Sequence, residues 1–101
     1  MPSQDLSAKT SELLSRINDL QAKCTGDNSK KLLELRDQLA KYSMAEIIEE
    51  LDEGQEDYKN AMKLLNSAIT QVDVAMKEAN KVADAVNLVA QAVAAVGKVI
   101  A

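Results

Sequence analysis

A run of carboxylates near the middle of the sequence is the richest material for chemistry in this chain. Residues 46–58 hold these acidic side chains and no basic one: Glu46, Glu49, Glu50, Asp52, Glu53, Glu56 and Asp57. Carboxylates three and four residues apart share one face of a helix, which is how helical bundles present ligands to di-iron centres. Those centres also require Glu-x-x-His pairs, and the sequence contains no His. The spacing is therefore suggestive, but the ligand set is incomplete.

The sequence likewise lacks the residue pattern of a calcium site and the residues for catalysis. A calcium loop needs oxygen ligands at alternate positions followed by Gly, and the segment Asp52-Glu53-Gly54-Gln55-Glu56 does not supply that order. Paired carboxylates can catalyse only if one is buried with a raised pKa, whereas so little apolar sequence around the run favours exposure. With no His and a single Cys, no nucleophile and base can be assembled. We predict no enzyme activity, no metal, no cofactor and no small-molecule substrate.

The acidic run is then interpreted as a solvated patch that keeps the chain soluble, with docking of a basic partner as the alternative. Its core members are Glu49, Glu50, Asp52, Glu53, Glu56 and Asp57.

The lone Cys24 falls on an apolar stripe, where we expect a small core residue, and a redox or intermolecular disulfide role is the alternative. Because one Cys cannot form an internal disulfide, we expect a cytoplasmic protein. The N-terminus lacks the pattern of a signal peptide, which leaves export by a signal-peptide-independent system open.

Composition identifies the elements that must carry these side chains. Hydrophobic residues make up 47% of the chain, yet there is no Phe or Trp, and there are only two Tyr, three Gly and one Pro. So little turn material excludes sandwiches and barrels and predicts an all-α fold. The net charge of −4, without a basic stripe or aromatics for base stacking, argues against nucleic-acid binding.

Two apolar stripes predict a helical hairpin. The first helix spans about residues 3–24, and its stripe alternates steps of four and three from Leu6 to Cys24, with Thr10 at one site and apolar residues at the others. Gly26 ends it, and a loop over residues 25–29 leads to the second helix, about residues 29–53, with a stripe from Leu32 to Tyr42. Gly54 is the predicted break after it, while a capping box at Ser43 marks an alternative restart.

A long third helix is predicted over about residues 55–100. The four-three spacing runs from Tyr58 to Ile100 without a slip, and a second apolar row at steps of seven accompanies it. At about 1.5 Å per residue this helix would be roughly 65–70 Å long, about twice the length of the other two. The predicted fold is a helical hairpin packed on a long coiled-coil-like helix, resembling a three-helix bundle in a single domain, residues 1–101, and we expect it to be oligomeric.

The C-terminal half of that helix would lack cover in a monomer, because the hairpin is only half as long. All eight Val residues lie between residues 72 and 99, and residues 82–101 contain few strongly polar side chains. The sequence predicts an interface there, formed by Val82, Val86, Val89, Val93, Val96 and Ile100. Two alternatives remain: entry of this segment into a membrane, or its folding back as a fourth helix through a turn near residues 77–84, where Asn80 is the only weak breaker.

The predicted function is that of a non-enzymatic interaction module, such as a small adaptor, chaperone or assembly subunit. It would pair with a second copy of itself, as a dimer or tetramer, or bind a helix of another protein through the apolar C-terminal row. A membrane-active or pore-forming helical protein is the alternative from another class, with residues 82–101 as the inserting segment. A subunit of a secretion system or filament that polymerises through the same residues is a third candidate.

Overall fold

The computed structural model describes the backbone of residues 2–48 and 55–100 and the side chains of residues 6–43 and 55–100. These parts form four helices: α1, Pro2–Lys23; α2, Gly26–Ile48; α3, Glu56–Lys77; and α4, Val82–Ile100. A 3₁₀ turn, Ala79–Lys81, joins α3 to α4. The prediction of an all-α, bundle-like fold is confirmed.

The helices pack as two hairpins laid side by side. Within the described residues, α1 packs on α2 and α3, and α4 packs on α3 and α2, while the backbones of the two diagonal pairs of helices lie farther apart. Because each hairpin has a short connection, its two helices are antiparallel. The pair between Arg16 on α1 and Asp73 on α3 joins equivalent levels of two parallel helices. The bundle measures 37 × 20 × 17 Å.

The predicted long third helix is wrong, because the chain folds back after Lys77. Glu78 has an extended backbone, φ −128° and ψ 105°, and its N–H donates to the carbonyl of Val74 at 2.9 Å. Lys81 N–H then donates to the carbonyl of Glu78 at 3.0 Å. This backbone region is open to any L-residue, so the reversal requires neither Gly nor Pro.

Packing explains why the reversal is favoured over a continuous helix. Folding back gives four helices of 22, 23, 22 and 19 residues, so each helix is covered along nearly its whole length. A straight helix over residues 55–100 would leave its apolar C-terminal half in water. Exposed apolar surface costs about 25 cal/mol of free energy for each Å². The fold-back that the sequence left as an alternative is therefore the one observed.

The connection between α1 and α2 is shorter than predicted. The structure leaves only Cys24 and Thr25 between the helices, so α2 begins at Gly26 and not near residue 29. Gly26 has φ +68°, a left-handed conformation that favours Gly at this reversal. The backbone of α2 continues through Ser43 to Ile48, so the capping box there does not restart the helix. The predicted break at Gly54 lies outside the described residues.

The core is largely aliphatic, as the composition predicts, and Tyr58 is a buried aromatic member of it. Leu and Ile of α1 and α2 meet mainly Ala and Val of α3 and α4, together with Leu65 and Ile69 of α3, and Thr10 is a buried polar side chain on the α1 stripe. At one end of the bundle α4 comes close to the ring of Tyr42, which approaches Gly97 so closely that a Cβ there would lie 3.0 Å from the Tyr42 hydroxyl. Gly97 thus provides the space that the Tyr42 ring occupies.

Candidate interaction surface

The predicted apolar interface row does not form an open surface, because a single chain buries it. Val86, Val89, Val93 and Val96 are buried in the bundle core, and only the ends of the row, Val82 and Ile100, are half-exposed. The premise of an uncovered row fails because α4 folds back and packs on α3 and α2. These valines hold the bundle together, and a partner that contacts α4 of the folded chain must use a different face of this helix.

The structure describes only the C-terminal end of the predicted acidic patch. Glu49, Glu50, Asp52 and Glu53 lie outside the described residues. Glu56 and Asp57 are exposed in the first turn of α3, where acidic side chains stabilise the helix N-terminus. No group of three or more His, Cys, Asp or Glu side chains that could hold a metal ion occurs within residues 6–43 and 55–100.

Cys24 lies half-buried in the short connection between α1 and α2. Its position next to the core agrees with the expectation of a small packing residue. Burial raises the pKa of the Cys24 thiol above its ordinary value. The thiol is therefore held in its protonated, weakly nucleophilic form near neutral pH.

The outward face of the α3–α4 hairpin is the most distinctive surface of the described chain, because it carries so little charge. Residues 64–72 of α3 and residues 85–97 of α4 contain no Asp, Glu, Lys or Arg. Since α3 and α4 are antiparallel neighbours, these two segments lie beside each other. Leu64 and Leu88 are half-exposed within this band. Most of the side chains that line the surface with them are small or polar without charge, and Lys98 lies beside Leu64 at one end.

A shallow groove follows the line between α3 and α4 on this face. One depression, of about 380 Å³, is lined by Asn66, Ser67, Thr70, Gln71 and Leu88. A second, of about 290 Å³, is lined by Asn60, Leu64, Gln91, Ala94, Ala95 and Lys98. Both are open to solvent, whereas small-molecule sites enclose most of their ligand. The shape suits side chains of another protein better than a small molecule.

The groove-lining residues repeat at helical spacing. On α3 they include Asn60, Leu64, Ser67 and Gln71, and on α4 they are Leu88, Gln91, Ala95 and Lys98 together with Ala94. Steps of four and three place each set along one line of its helix. The Thr70 hydroxyl donates to the carbonyl of Asn66 at 3.1 Å, so it is already used within α3. We call this surface, the outward faces of residues 60–71 and 84–98, the neutral groove; on α4 its charged residues, Asp84 and Lys98, lie at its two ends.

The opposite side of the bundle is charged and internally paired. On α1, Glu12 contacts Lys9 at 3.7 Å and Arg16 at 3.6 Å, and Arg16 also reaches Asp73 of α3 at 3.4 Å. The Arg36 guanidinium of α2 donates to the Asn18 side chain of α1 at 3.1 Å. These exposed pairs are typical of a solvated surface, so the two sides of the molecule differ in character.

Sequence reasoning missed the neutral groove because it followed apolar rows. In the C-terminal segment, the polar side chains stand out only as exceptions to an apolar pattern. Three of them, Asp84, Gln91 and Lys98, lie on one line of α4 with Leu88 and Ala95. The signal that could have found this surface is the absence of charge in two segments that pack together.

Length and composition alone also mark Ala79–Ile100 as one segment in the described chain that is able to cross a membrane. A core helix of a water-soluble bundle passes the same test. Comparison of the chain with protein-family models, with curated proteins and with solved structures finds no match. The surface itself is therefore the basis for the proposal that follows.

Proposed function

We propose that this protein is a non-enzymatic helical interaction module, an adaptor or assembly subunit that binds through the neutral groove. One observation carries the proposal: two charge-free segments, residues 64–72 and 85–97, lie side by side on a bundle whose other side is charged. Desolvating such a band costs less than desolvating charged side chains, which favours this side over the other for contact with a partner.

A partner helix fits the geometry of the groove. The half-exposed Leu64 and Leu88 would pack against apolar side chains of that helix, and Ala94 would allow its backbone to come close. Amides such as Asn60 and Gln91 line the same groove and would supply hydrogen bonds that fix the orientation. Glu56 and Asp57, exposed at the start of α3, would favour a basic residue at the adjacent end of the partner.

Site-specific photo-cross-linking in the native cell tests the proposal. A photoreactive amino acid replaces Ala94 in the groove, and the matched control replaces Ala40, an exposed residue of α2 on the charged side. We expect discrete protein adducts at Ala94 and none, or far fewer, at Ala40. Equal yields at both positions, or no adduct at Ala94, would contradict the neutral groove as a binding surface. The mass of each adduct distinguishes a second copy from another protein.

Membrane insertion is a second candidate function, supported by the length and apolar character of Ala79–Ile100. Insertion requires α4 to leave the bundle, because Val89 and Val93 are buried there. It would also carry Asp84 and Lys98 towards the membrane, and a charge at the bilayer centre is costly. Flotation with phosphatidylcholine vesicles, with and without phosphatidylglycerol, tests this candidate. Vesicle-bound chain with increased protease sensitivity between α3 and α4 would support it, and unbound intact chain would reject it.

A further inference from the structure

The outer row of α4 is symmetric in a way that points to a particular partner. Asp84 lies seven residues before Gln91, and Lys98 lies seven residues after it. On the same line of α4, Leu88 precedes Gln91 by three residues, and Ala95 follows it by four. An acid and a base thus lie at equal distances on either side of one central amide, and a large and a small side chain lie at nearly equal distances.

We propose that the partner is a second copy of this chain, which pairs α4 with α4 in antiparallel orientation about a two-fold axis at Gln91. This proposal rests on the proposed use of the neutral groove. In this register each Asp84 faces Lys98 of the other copy, each Leu88 packs against the small Ala95 of the other copy, and the two Gln91 amides meet at the axis. At about 1.5 Å per residue each charge pair lies roughly 10 Å from the axis.

Charge complementarity selects the antiparallel orientation. A parallel pair in the same register would place Asp84 against Asp84 and Lys98 against Lys98, which are repulsive contacts. Asp84 and Lys98 are the charged residues of α4, and both are exposed in the single chain. Between them, Leu88, Gln91 and Ala95 follow at steps of three and four, the spacing of a coiled-coil seam.

The contact closes on itself, because a two-fold interface uses the same surface on both copies. It therefore predicts dimers and no fibres. The row buries few large apolar side chains, so we expect a dimer that dissociates on dilution and on addition of salt, since salt screens exposed charge pairs.

Disulfide trapping tests the position of the axis. In a chain with Cys24→Ser, the substitution Gln91→Cys places one thiol from each copy at the axis, within the short Cβ distance that a disulfide requires. The control Ala83→Cys is exposed on the same helix but eight residues from the axis, so its two copies lie about 24 Å apart. We expect rapid disulfide-linked dimers for Gln91→Cys under mild oxidation and at least tenfold slower formation for Ala83→Cys. Equal rates would overturn the register.

Charge exchange tests the pairing itself by sedimentation equilibrium at low salt. Asp84→Lys should raise the dimer dissociation constant at least tenfold, and adding Lys98→Asp should bring it back to within about threefold of the original. The matched pair Asp19→Lys and Lys41→Asp, exposed on the charged side, should leave the constant unchanged. Because both exchanges in α4 oppose the helix dipole, far-ultraviolet circular dichroism confirms that each variant is folded.

The outcomes separate this inference from the function on which it rests. A monomer at millimolar concentration overturns self-pairing, and so does a double variant that stays as weak as the single one although it is folded. If Ala94 still cross-links to another protein in either case, the neutral groove stands as an interaction surface with a different partner. If Ala94 cross-links to nothing, the proposed function fails as well.

Discussion

At the scale of single residues, the contact between Tyr42 and Gly97 shows how closely α2 and α4 approach. The Tyr42 hydroxyl accepts a hydrogen bond from the Gln38 amide at 3.0 Å, which helps to hold the ring in place. Against this ring, a Cβ at position 97 would lie 3.0 Å from the hydroxyl oxygen and 3.1 Å from the carbon that bears it. Both distances are tighter than ordinary van der Waals contact, so a methyl group requires the ring to move.

Replacing Gly97 by Ala should therefore depend on what occupies position 42. Ala favours a helix over Gly by about 1 kcal/mol, so in a Tyr42→Ala background we expect Gly97→Ala to stabilise the fold. With Tyr42 present, displacement of the ring should remove at least about 0.5 kcal/mol of that gain, by the usual size of coupling between contacting residues. Urea unfolding of the four chains measures the coupling. Equal effects in both backgrounds would show that the ring is not held against Gly97.

The Cys24 thiol gives a stability prediction with a definite sign. Its pKa is raised by burial, so the folded chain holds the thiol proton more tightly than the unfolded chain. The resulting stabilisation is complete below the unfolded pKa of about 8.5 and is lost as pH rises through the folded pKa. Under reducing conditions, the stability advantage of the parent chain over Cys24→Ala should decrease between pH 7 and pH 10. A constant or growing advantage in urea unfolding would contradict the pKa direction.

At the scale of elements, the sequence predicts the stripes of the helices better than the places where the chain turns. Leu6, Leu13 and Ile17 on α1, and Leu32 and Leu39 on α2, are buried as their spacing predicts. The outlines of α1 and most of α2 follow from such stripes, because each helix needs only one apolar face. Of the two connections that the structure describes, the one at Gly26 has a backbone that favours the residue present there, and the one after α3 does not require its residues.

The reversal after α3 could not be read from local sequence. Its residues, Glu78 to Lys81, include no Gly or Pro, and the apolar spacing continues across it because both helices bury one face. What decides between a straight and a reversed chain is burial of the valines of α4 against α3 and α2, a tertiary effect. The neutral groove depends on the same reversal: its two charge-free segments are visible in the sequence, but their position side by side is not.

Two proline substitutions, one in the reversal and one within α4, test the position of the reversal. Ala79 is exposed, follows a residue in the extended region and begins the 3₁₀ turn, which is where Pro is tolerated. We expect Ala79→Pro to change the free energy of unfolding by no more than about 1 kcal/mol. The control Ala94→Pro, at an exposed position in the middle of α4, should lower the free energy of unfolding by about 3 kcal/mol or more. Equal large losses would indicate a continuous helix.

At the scale of the whole molecule, the buried valines of α4 complete the hydrophobic core of the bundle. Val89 is fully buried, so Val89→Asp places a charge in an aliphatic core. We expect a loss of at least about 3 kcal/mol, enough to unfold a small bundle. Asn87→Asp, exposed on the same helix, should change stability by less than about 0.5 kcal/mol. Thermal melting followed by circular dichroism compares the two, and a folded Val89→Asp chain would contradict the buried row.

The division of the molecule into a charged side and the neutral groove follows from the burial of these valines. Because α4 turns its valines inward, its line of Asp84, Leu88, Gln91 and Lys98 is left outside beside the charge-free part of α3. Both proposals use that line, so both depend on the fold-back of the chain.

The most direct measurement is therefore the distance between spin labels at Lys59 and Lys98 in a Cys24→Ser chain, diluted with unlabelled protein so that only labels within one molecule contribute. In the bundle these residues lie near the same end of neighbouring helices, whose axes are about 8–10 Å apart, so the account predicts a distance below roughly 25 Å. A continuous helix would separate them by about 58 Å. A distribution centred near that longer distance would contradict the fold-back, and with it the neutral groove.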